Sequence, residues 1–334
     1  MTNNKPKTYA IAFAGQGAQK PGMGRSLYEA SPAARAVFDK AGEEIKHDCF
    51  ETGAERLKQT EITQPAVYIT DMAAYAALRE GLGIGEADGI PEPSFLTGFS
   101  LGEYAALTAA GVIENLETGL EIVKQRALLM KEAGTNPDGT ARGAMAAGLG
   151  ERSAVLSLVE KARGADILEA VNFNSPLQTV VAGDAEAIAR FAKLAAEDRT
   201  LGVKAIPLPV SGAFHSPIMA PAAENLALTL SRYTFYEPAL PVYLNVSGEL
   251  LLNHLAGADS DTSEKVRSIM TLQIKSPVEW QKTIEAMSSS GVDTIIEVGP
   301  GKTLTGLIKK IAPDITAMHV EDAETLEEVK TLWN

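Results

Sequence analysis

The chain has 334 residues, enough at about 150 residues per domain for two structural units and a large core. Forty-three acidic side chains against thirty basic ones leave a formal charge of −13. A molecule of that sign repels phosphate backbones, and its longest basic cluster is the pair Lys309 and Lys310, so no nucleic acid is expected as a partner.

The single cysteine, Cys49, can close no intramolecular disulfide and build no cysteine-rich zinc site. The first apolar run, Tyr9 to Ala14, is too short for a signal-peptide core or a membrane span. The expectation is a cytoplasmic protein that engages no membrane.

That run reads as a buried strand leading into the glycine turn G-Q-G-A-Q. A helix is predicted next, with Thr63 as N-cap, Pro65 in its first turn and a stop at Gly81. Ser94 to Thr97 is a second strand, running into G-F-S-L-G and a helix from Leu101 to Ala110 closed by Gly111. Leu116, Leu120, Val123, Ala127 and Met130 then mark one face of a further helix. Arg126 stands about 40° outside Met130 on that wheel.

The rhythm changes after G-T-N-P-D-G-T at 134–140, a linker composition. Strand, helix, two strands, helix and strand are predicted over 143–149, 151–163, 167–173, 179–182, 185–196 and 203–208. This βαββαβ order is the ferredoxin-like split pattern. The expected fold is therefore α/β, a mostly parallel core with an inserted ferredoxin-like subdomain. The division is 1–138 and 208–334 for the discontinuous core and 139–207 for the insert. The parent pattern resumes near Pro209 and ends with a strand at Thr294 to Val298, G-P-G and a helix. Glu249 to Glu264 reads as a polar surface excursion.

Gly98-Phe99-Ser100-Leu101-Gly102 matches G-x-S-x-G, in which small residues allow a sharp strand-to-helix turn that exposes a serine hydroxyl. The match gains weight from the strand before it and the helix after it; the competing reading is a helix N-cap serine. A serine nucleophile needs a base, and of four histidines His215 is best placed, between a predicted strand and a helix that Ser216 caps and Pro217 begins. His47 and His319 lie in polar surface-like stretches and His254 near a loop. A capped, half-buried ring is the plainer role for His215.

Oxyanion donors could come from the Leu101 amide and from the Gly15-Gln16-Gly17 loop, which is otherwise an ordinary βα turn. The loop is no nucleotide fingerprint, because Lys20 occupies the last glycine position of G-x-G-x-x-G. Arg126 offers a fork of donors suited to a carboxylate, or it pairs with Glu121 at the surface.

Together these residues resemble the malonyl-CoA:acyl carrier protein transacylases and the acyltransferase domains of polyketide synthases. The resemblance runs through F-A-G-Q-G-A-Q, T-Q-P-A at 63–66, G-F-S-L-G-E-Y-A-A-L, Q-R-A-L-L-M and V-N-F-N-S-P-L-Q-T-V-V-A-G. It continues through G-A-F-H-S-P-I-M, Q-I-K-S-P-V-E-W and E-V-G-P-G-K-T-L-T-G-L-I. It implies an α/β-hydrolase-like core and a Ser-His dyad. Ser100 would be the nucleophile and His215 the base, oriented by the backbone carbonyl of Gln273.

By the same resemblance Gln16 and Leu101 supply the oxyanion amides, and Arg126 and Gln64 bind the malonyl group. No metal or tightly bound cofactor is implied. Malonyl-CoA and holo acyl carrier protein are the implied substrates, and a monomer is expected. Lys275, Lys302, Lys309 and Lys310 are candidates for docking an acidic carrier.

Phe99 departs from the family, which commonly has histidine there, and makes the pocket drier. Ala213-Phe214-His215 resembles the malonyl-selecting form, so methylmalonyl-CoA is expected to react weakly. A polyketide acyltransferase and an acyl-thioester hydrolase with the same dyad are the alternatives, the hydrolase being disfavoured by Arg126.

Overall fold

The computed structural model describes residues 6–210, 212–256 and 261–333. Its strands are β1 (Tyr9–Phe13), β2 (Phe95–Gly98), β3 (Ala144–Leu149), β4 (Leu168–Ser175), β5 (Gln178–Gly183), β6 (Lys204–Pro207), β7 (Thr294–Val298) and β8 (Thr316–Val320). They form two four-stranded sheets, ordered β2-β1-β7-β8 and β4-β5-β3-β6.

The first sheet is parallel throughout, with Phe13 level with Gly98 and Val298. β1 is buried along its whole length because both faces are covered. Its odd-numbered side chains, Tyr9, Ile11 and Phe13, enter the larger core with Leu96, Leu101 and Ile296. Ala10 and Ala12 face a second core with Trp280, Ile284 and Leu304.

The second sheet is antiparallel and takes the ferredoxin-like order, with the helices Arg152–Arg163 and Ala185–Glu197 packed on it through Val155, Leu158, Ile188 and Phe191. Two backbone bonds tie it to the first lobe, Phe173 N–H to the Val278 carbonyl (2.9 Å) and Val278 N–H to that of Val171 (2.8 Å). The fold is an α/β-hydrolase-like core carrying a ferredoxin-like βαββαβ unit, as the pattern predicts.

One helix differs from its predicted punctuation. It spans Thr60–Leu82, with Gln59 as N-cap and Pro65 inside it. The missing proline N–H costs the ladder one bond, yet Thr60, Thr63, Gln64 and Pro65 are all buried, and that packing holds the extra turn. The helix also runs past Gly81 and stops at Gly83, which takes the left-handed conformation at φ 60°.

His319, read as a surface residue, lies in edge strand β8, with Nε2 3.7 Å from Glu321. Within the stretch 249–264, residues 257–260 fall outside the described set. The remainder holds the short helix Leu251–Leu255 with Leu251 in the core, so it is not wholly a surface excursion.

Candidate active site

The G-x-S-x-G turn sits where β2 ends beside β1. Its glycines are dictated by contact: a Cβ on Gly98 would stand 2.0 Å from the Gly102 carbonyl carbon, and one on Gly102 would stand 2.2 Å from the Phe13 carbonyl oxygen. A strand and a helix can cross this closely only without side chains at those positions. The turn holds Ser100 at φ 53°, a left-handed conformation that non-glycine residues seldom adopt. The helix Gly102–Ala109 begins directly after it.

His215 reaches Ser100 from 115 positions along the chain, with Nε2 2.8 Å from Oγ. Its Nδ1 lies 3.0 Å from the Gln273 carbonyl. A carbonyl only accepts, so Nδ1 carries the proton and Nε2 is left to accept from the serine hydroxyl. Burial, and after it the charge of Arg126, push the imidazole down to about 4, so it is neutral near pH 7. His215 also has positive φ, 62°. Ser216 accepts from Ile218 N–H (3.3 Å) and starts the 3₁₀ turn Pro217–Met219.

Arg126, on the helix Leu116–Ala133, is 1% exposed, so its border position faces the interior and not water. Its Nη1 donates to Gln64 Oε1 (2.7 Å), and its Nη2 lies 3.2 Å from both Ser100 Oγ and Gln273 Oε1. Its guanidinium stacks over Tyr104 at 5.0 Å. Nε has no partner, and among the described residues the guanidinium forms no ion pair. A buried cation whose hydrogen bonds all go to neutral groups is primed for an anion.

Gln64 Nε2 in turn donates to Gln16 Oε1 (3.1 Å), linking the arginine to the loop after β1. That loop abuts the elbow, since a Cβ on Gly15 would stand 2.5 Å from the Phe99 carbonyl oxygen. Neither the Gln16 nor the Leu101 amide donates to another described group, leaving both N–H groups for a ligand.

These groups adjoin a cavity of about 490 Å³ lined by Gln16, Phe99, Ser100, Phe214, His215 and, from the small sheet, Asn172, Asn174 and Gln178. Phe99 packs edge-on against Trp280 at 5.5 Å and presents an apolar wall beside the serine.

The structure thus gathers Ser100, His215, Gln273, Arg126, Gln64 and Gln16 into one bonded cluster. The four lysines are all exposed but not gathered: Lys302 flanks the cavity-lining Thr303, whereas Lys309 and Lys310 lie at the far end of the helix Thr303–Ile311.

Sequence reasoning missed Asn245 and Glu103. Asn245 Oδ1 accepts from Ser100 N–H (2.6 Å) and its Nδ2 donates to the Gly98 carbonyl (2.7 Å), while its own N–H donates to Glu103. Glu103 is fully buried, which raises its carboxyl to about 7. The sequence around Asn245, Y-L-N-V-S, carries no local signal for this; only the pairing of Leu96 with Val242 brings it there.

Comparison with known proteins decides the class. The model of the family described as acyl transferase domain matches residues 11–329. The chain belongs to the acyl transferase family, and the protein is an acyl transferase. It is similar to the malonyl CoA-acyl carrier protein transacylases of Bacillus subtilis (38% identical, covering 95% of this chain and 95% of the relative) and Escherichia coli K12 (35%, covering 95% and 97%). A solved complex of a type II polyketide-synthase acyl carrier protein with its malonyl-transacylase superposes with a TM-score of 0.86 at 33% identity, covering 98% of this chain and 100% of that one. Among the described residues of this acyl transferase, no helix is long and apolar enough to cross a membrane.

Proposed function

We propose that this acyl transferase moves malonyl from malonyl-CoA to the phosphopantetheine thiol of acyl carrier protein, supplying fatty-acid synthesis. The observation that carries the acyl choice is the buried Arg126 guanidinium, without an ion partner, 3.2 Å from Ser100 Oγ. A malonyl group on that oxygen would bring its free carboxylate to the arginine. Acetyl would leave the buried charge unpaired.

The reaction is read as two half-reactions. Ser100 Oγ attacks the thioester carbonyl while His215 Nε2 takes its proton. The tetrahedral oxyanion is held by the Gln16 and Leu101 amides. Collapse expels the CoA thiolate, which His215 protonates. The carrier thiol then gives its proton to His215 and attacks the malonyl-serine ester, and His215 passes that proton to Ser100 Oγ as the ester C–O bond breaks, restoring the dyad.

Gln273 orients the ring through its carbonyl, in the place a carboxylate holds in a triad. Asn172 and Asn174 line the cavity, and their buried Oδ1 atoms have no partner, so a turn of either carboxamide would offer an acceptor to the amide N–H groups of a pantetheine arm. The path of that arm runs between the sheets, and we propose the division at 138/139 and 207/208 as the domain boundary. The same proposal makes the enzyme a cytoplasmic monomer needing no metal or resident cofactor.

Intact-mass spectrometry after brief exposure to malonyl-CoA, with holo acyl carrier protein added as a chase, tests this reading. A malonyl adduct on the wild type, absent from Ser100→Ala and discharged onto the carrier, is expected. An adduct that survives Ser100→Ala, or that is lost to water faster than to carrier, would overturn it.

A further inference from the structure

Ser100 carries its hydroxyl on a backbone conformation that a serine does not hold unaided. Its peptide groups are gripped from two directions. Gln273 Nε2 donates to the Ser100 carbonyl at 2.7 Å. On the opposite side the Asn245 carboxamide closes a two-point clamp, accepting from Ser100 N–H at 2.6 Å and donating to the Gly98 carbonyl at 2.7 Å.

Asn245 is 1% exposed, so both bonds are shielded from bulk water. It is rigidly mounted. Leu96 N–H donates to the Pro241 carbonyl (2.8 Å) and Tyr243 N–H to that of Leu96 (2.9 Å), which makes 241–243 an extra extended segment beside β2. Its backbone N–H is in addition fixed by the Glu103 carboxyl, at the start of the helix that follows the nucleophile.

We propose that Asn245 is the positioning residue of the nucleophile: its carboxamide spans the elbow from Gly98 to Ser100 and holds Ser100 in the left-handed conformation that aims Oγ at His215 and Arg126. It touches no reacting atom. It acts by fixing the peptide from which the hydroxyl projects, and a hydroxyl that swings away loses the base at 2.8 Å and the guanidinium at 3.2 Å together. The inference rests on Ser100 being the nucleophile.

The test measures the rate of malonyl-enzyme formation by rapid quench and intact mass for wild type, Ser100→Ala, Asn245→Ala and Asn245→Asp. Loss of about 1 Å of alignment costs on the order of a hundredfold. Asn245→Ala is therefore expected to slow acylation about a hundredfold with the malonyl-CoA KM within threefold. A rate within threefold of wild type, or a loss confined to KM, overturns the proposal. Acylation that persists in Ser100→Ala would overturn the nucleophile assignment instead, so the two failures are distinguishable.

Asn245→Asp carries the test should the alanine variant fail to fold. Ionised, the new carboxylate still accepts from Ser100 N–H but opposes the Gly98 carbonyl; protonated, it restores both bonds. Glu103, bonded to the backbone N–H of this residue, is the titratable group in contact with it and is common to both proteins. The ratio of its acylation rate to that of wild type should rise as pH falls from 8 to 5. A ratio that stays flat and close to one would refute the clamp.

Discussion

Replacing Arg126 by alanine is the sharpest probe of acyl choice, because malonyl-CoA and acetyl-CoA share every contact except the terminal carboxylate. Arg126 Nη1 is 2.7 Å from Gln64 Oε1, and Nη2 is shared between Ser100 Oγ and Gln273 Oε1. An incoming carboxylate can take both nitrogens as a bidentate pair. Hydrogen bonds to charged groups contribute about 1.5–3 kcal/mol each, so two lost bonds amount to roughly 3–6 kcal/mol. At about 1.4 kcal/mol per decade this is roughly a hundredfold to ten-thousandfold in the malonyl rate.

Truncation also strips the Tyr104 ring of its cation and disturbs Gln64 and Gln273. That damage falls on both acyl groups and cancels in their ratio. The assay is parallel acylation of Ser100 by the two thioesters, followed by intact mass. The malonyl-to-acetyl preference should fall at least a hundredfold in Arg126→Ala. Arg126→Lys should lie between, since an ammonium offers a point charge and no fork. A preference unchanged within threefold in Arg126→Ala would refute the reasoning and assign selectivity elsewhere in the cavity.

Burial and Arg126 depress His215 to about 4, so the acid limb of kcat/KM should fall near pH 4 and not near the ordinary histidine value of about 6.5; a limb above pH 6 in a pH-rate profile would contradict this. The same shift makes the His215 contribution to stability rise with pH between about 4 and 6.5, where the unfolded chain binds the proton that the folded ring refuses; buried Glu103, raised to about 7, contributes with the opposite sign, so the difference between wild-type and His215→Ala urea melts across that window measures it. Gly102→Ala should cost about 3 kcal/mol in urea melts, because its Cβ meets the Phe13 and Ala14 carbonyl oxygens at 2.2 and 2.5 Å. Gly306→Ala, in open space on a helix, should instead stabilise by roughly 0.8 kcal/mol. Phe99→His should leave transfer to carrier within about tenfold, a barrier change of about 1.4 kcal/mol, because the ring packs on Trp280 and the base bonded to Ser100 Oγ is His215; a larger drop in steady-state transfer would give Phe99 a part in the chemistry.

Local pattern carried the sequence a long way. Strand runs bounded by glycine, the βαββαβ rhythm of 143–208 and the strand–G-x-S-x-G–helix order are short-range signals, and they follow from periodicity and from what glycine permits. The turn of Ser100 and the strand–cap setting of His215 were legible for the same reason, whereas Gln273 and the acyl-binding role of Arg126 came only from the family resemblance. The start of the helix at Thr60 was not legible, because Pro65 is a local signal for a helix's first turn, and burial of Thr60, Thr63 and Gln64 carries the helix back beyond it.

What only the tertiary structure decided is every relation across the chain. By its own pattern Arg126 read as a surface residue, and only the family resemblance placed it in the site; the fold puts it at 1% exposure beside Ser100. Lys309 and Lys310, adjacent to a motif in sequence, are carried away from the cavity by the helix they end. Asn245 stands 145 positions from the serine it grips, in a segment with no motif. Its role exists only because that segment pairs with β2, and a hydrogen bond between distant residues leaves no periodic trace in either stretch of sequence.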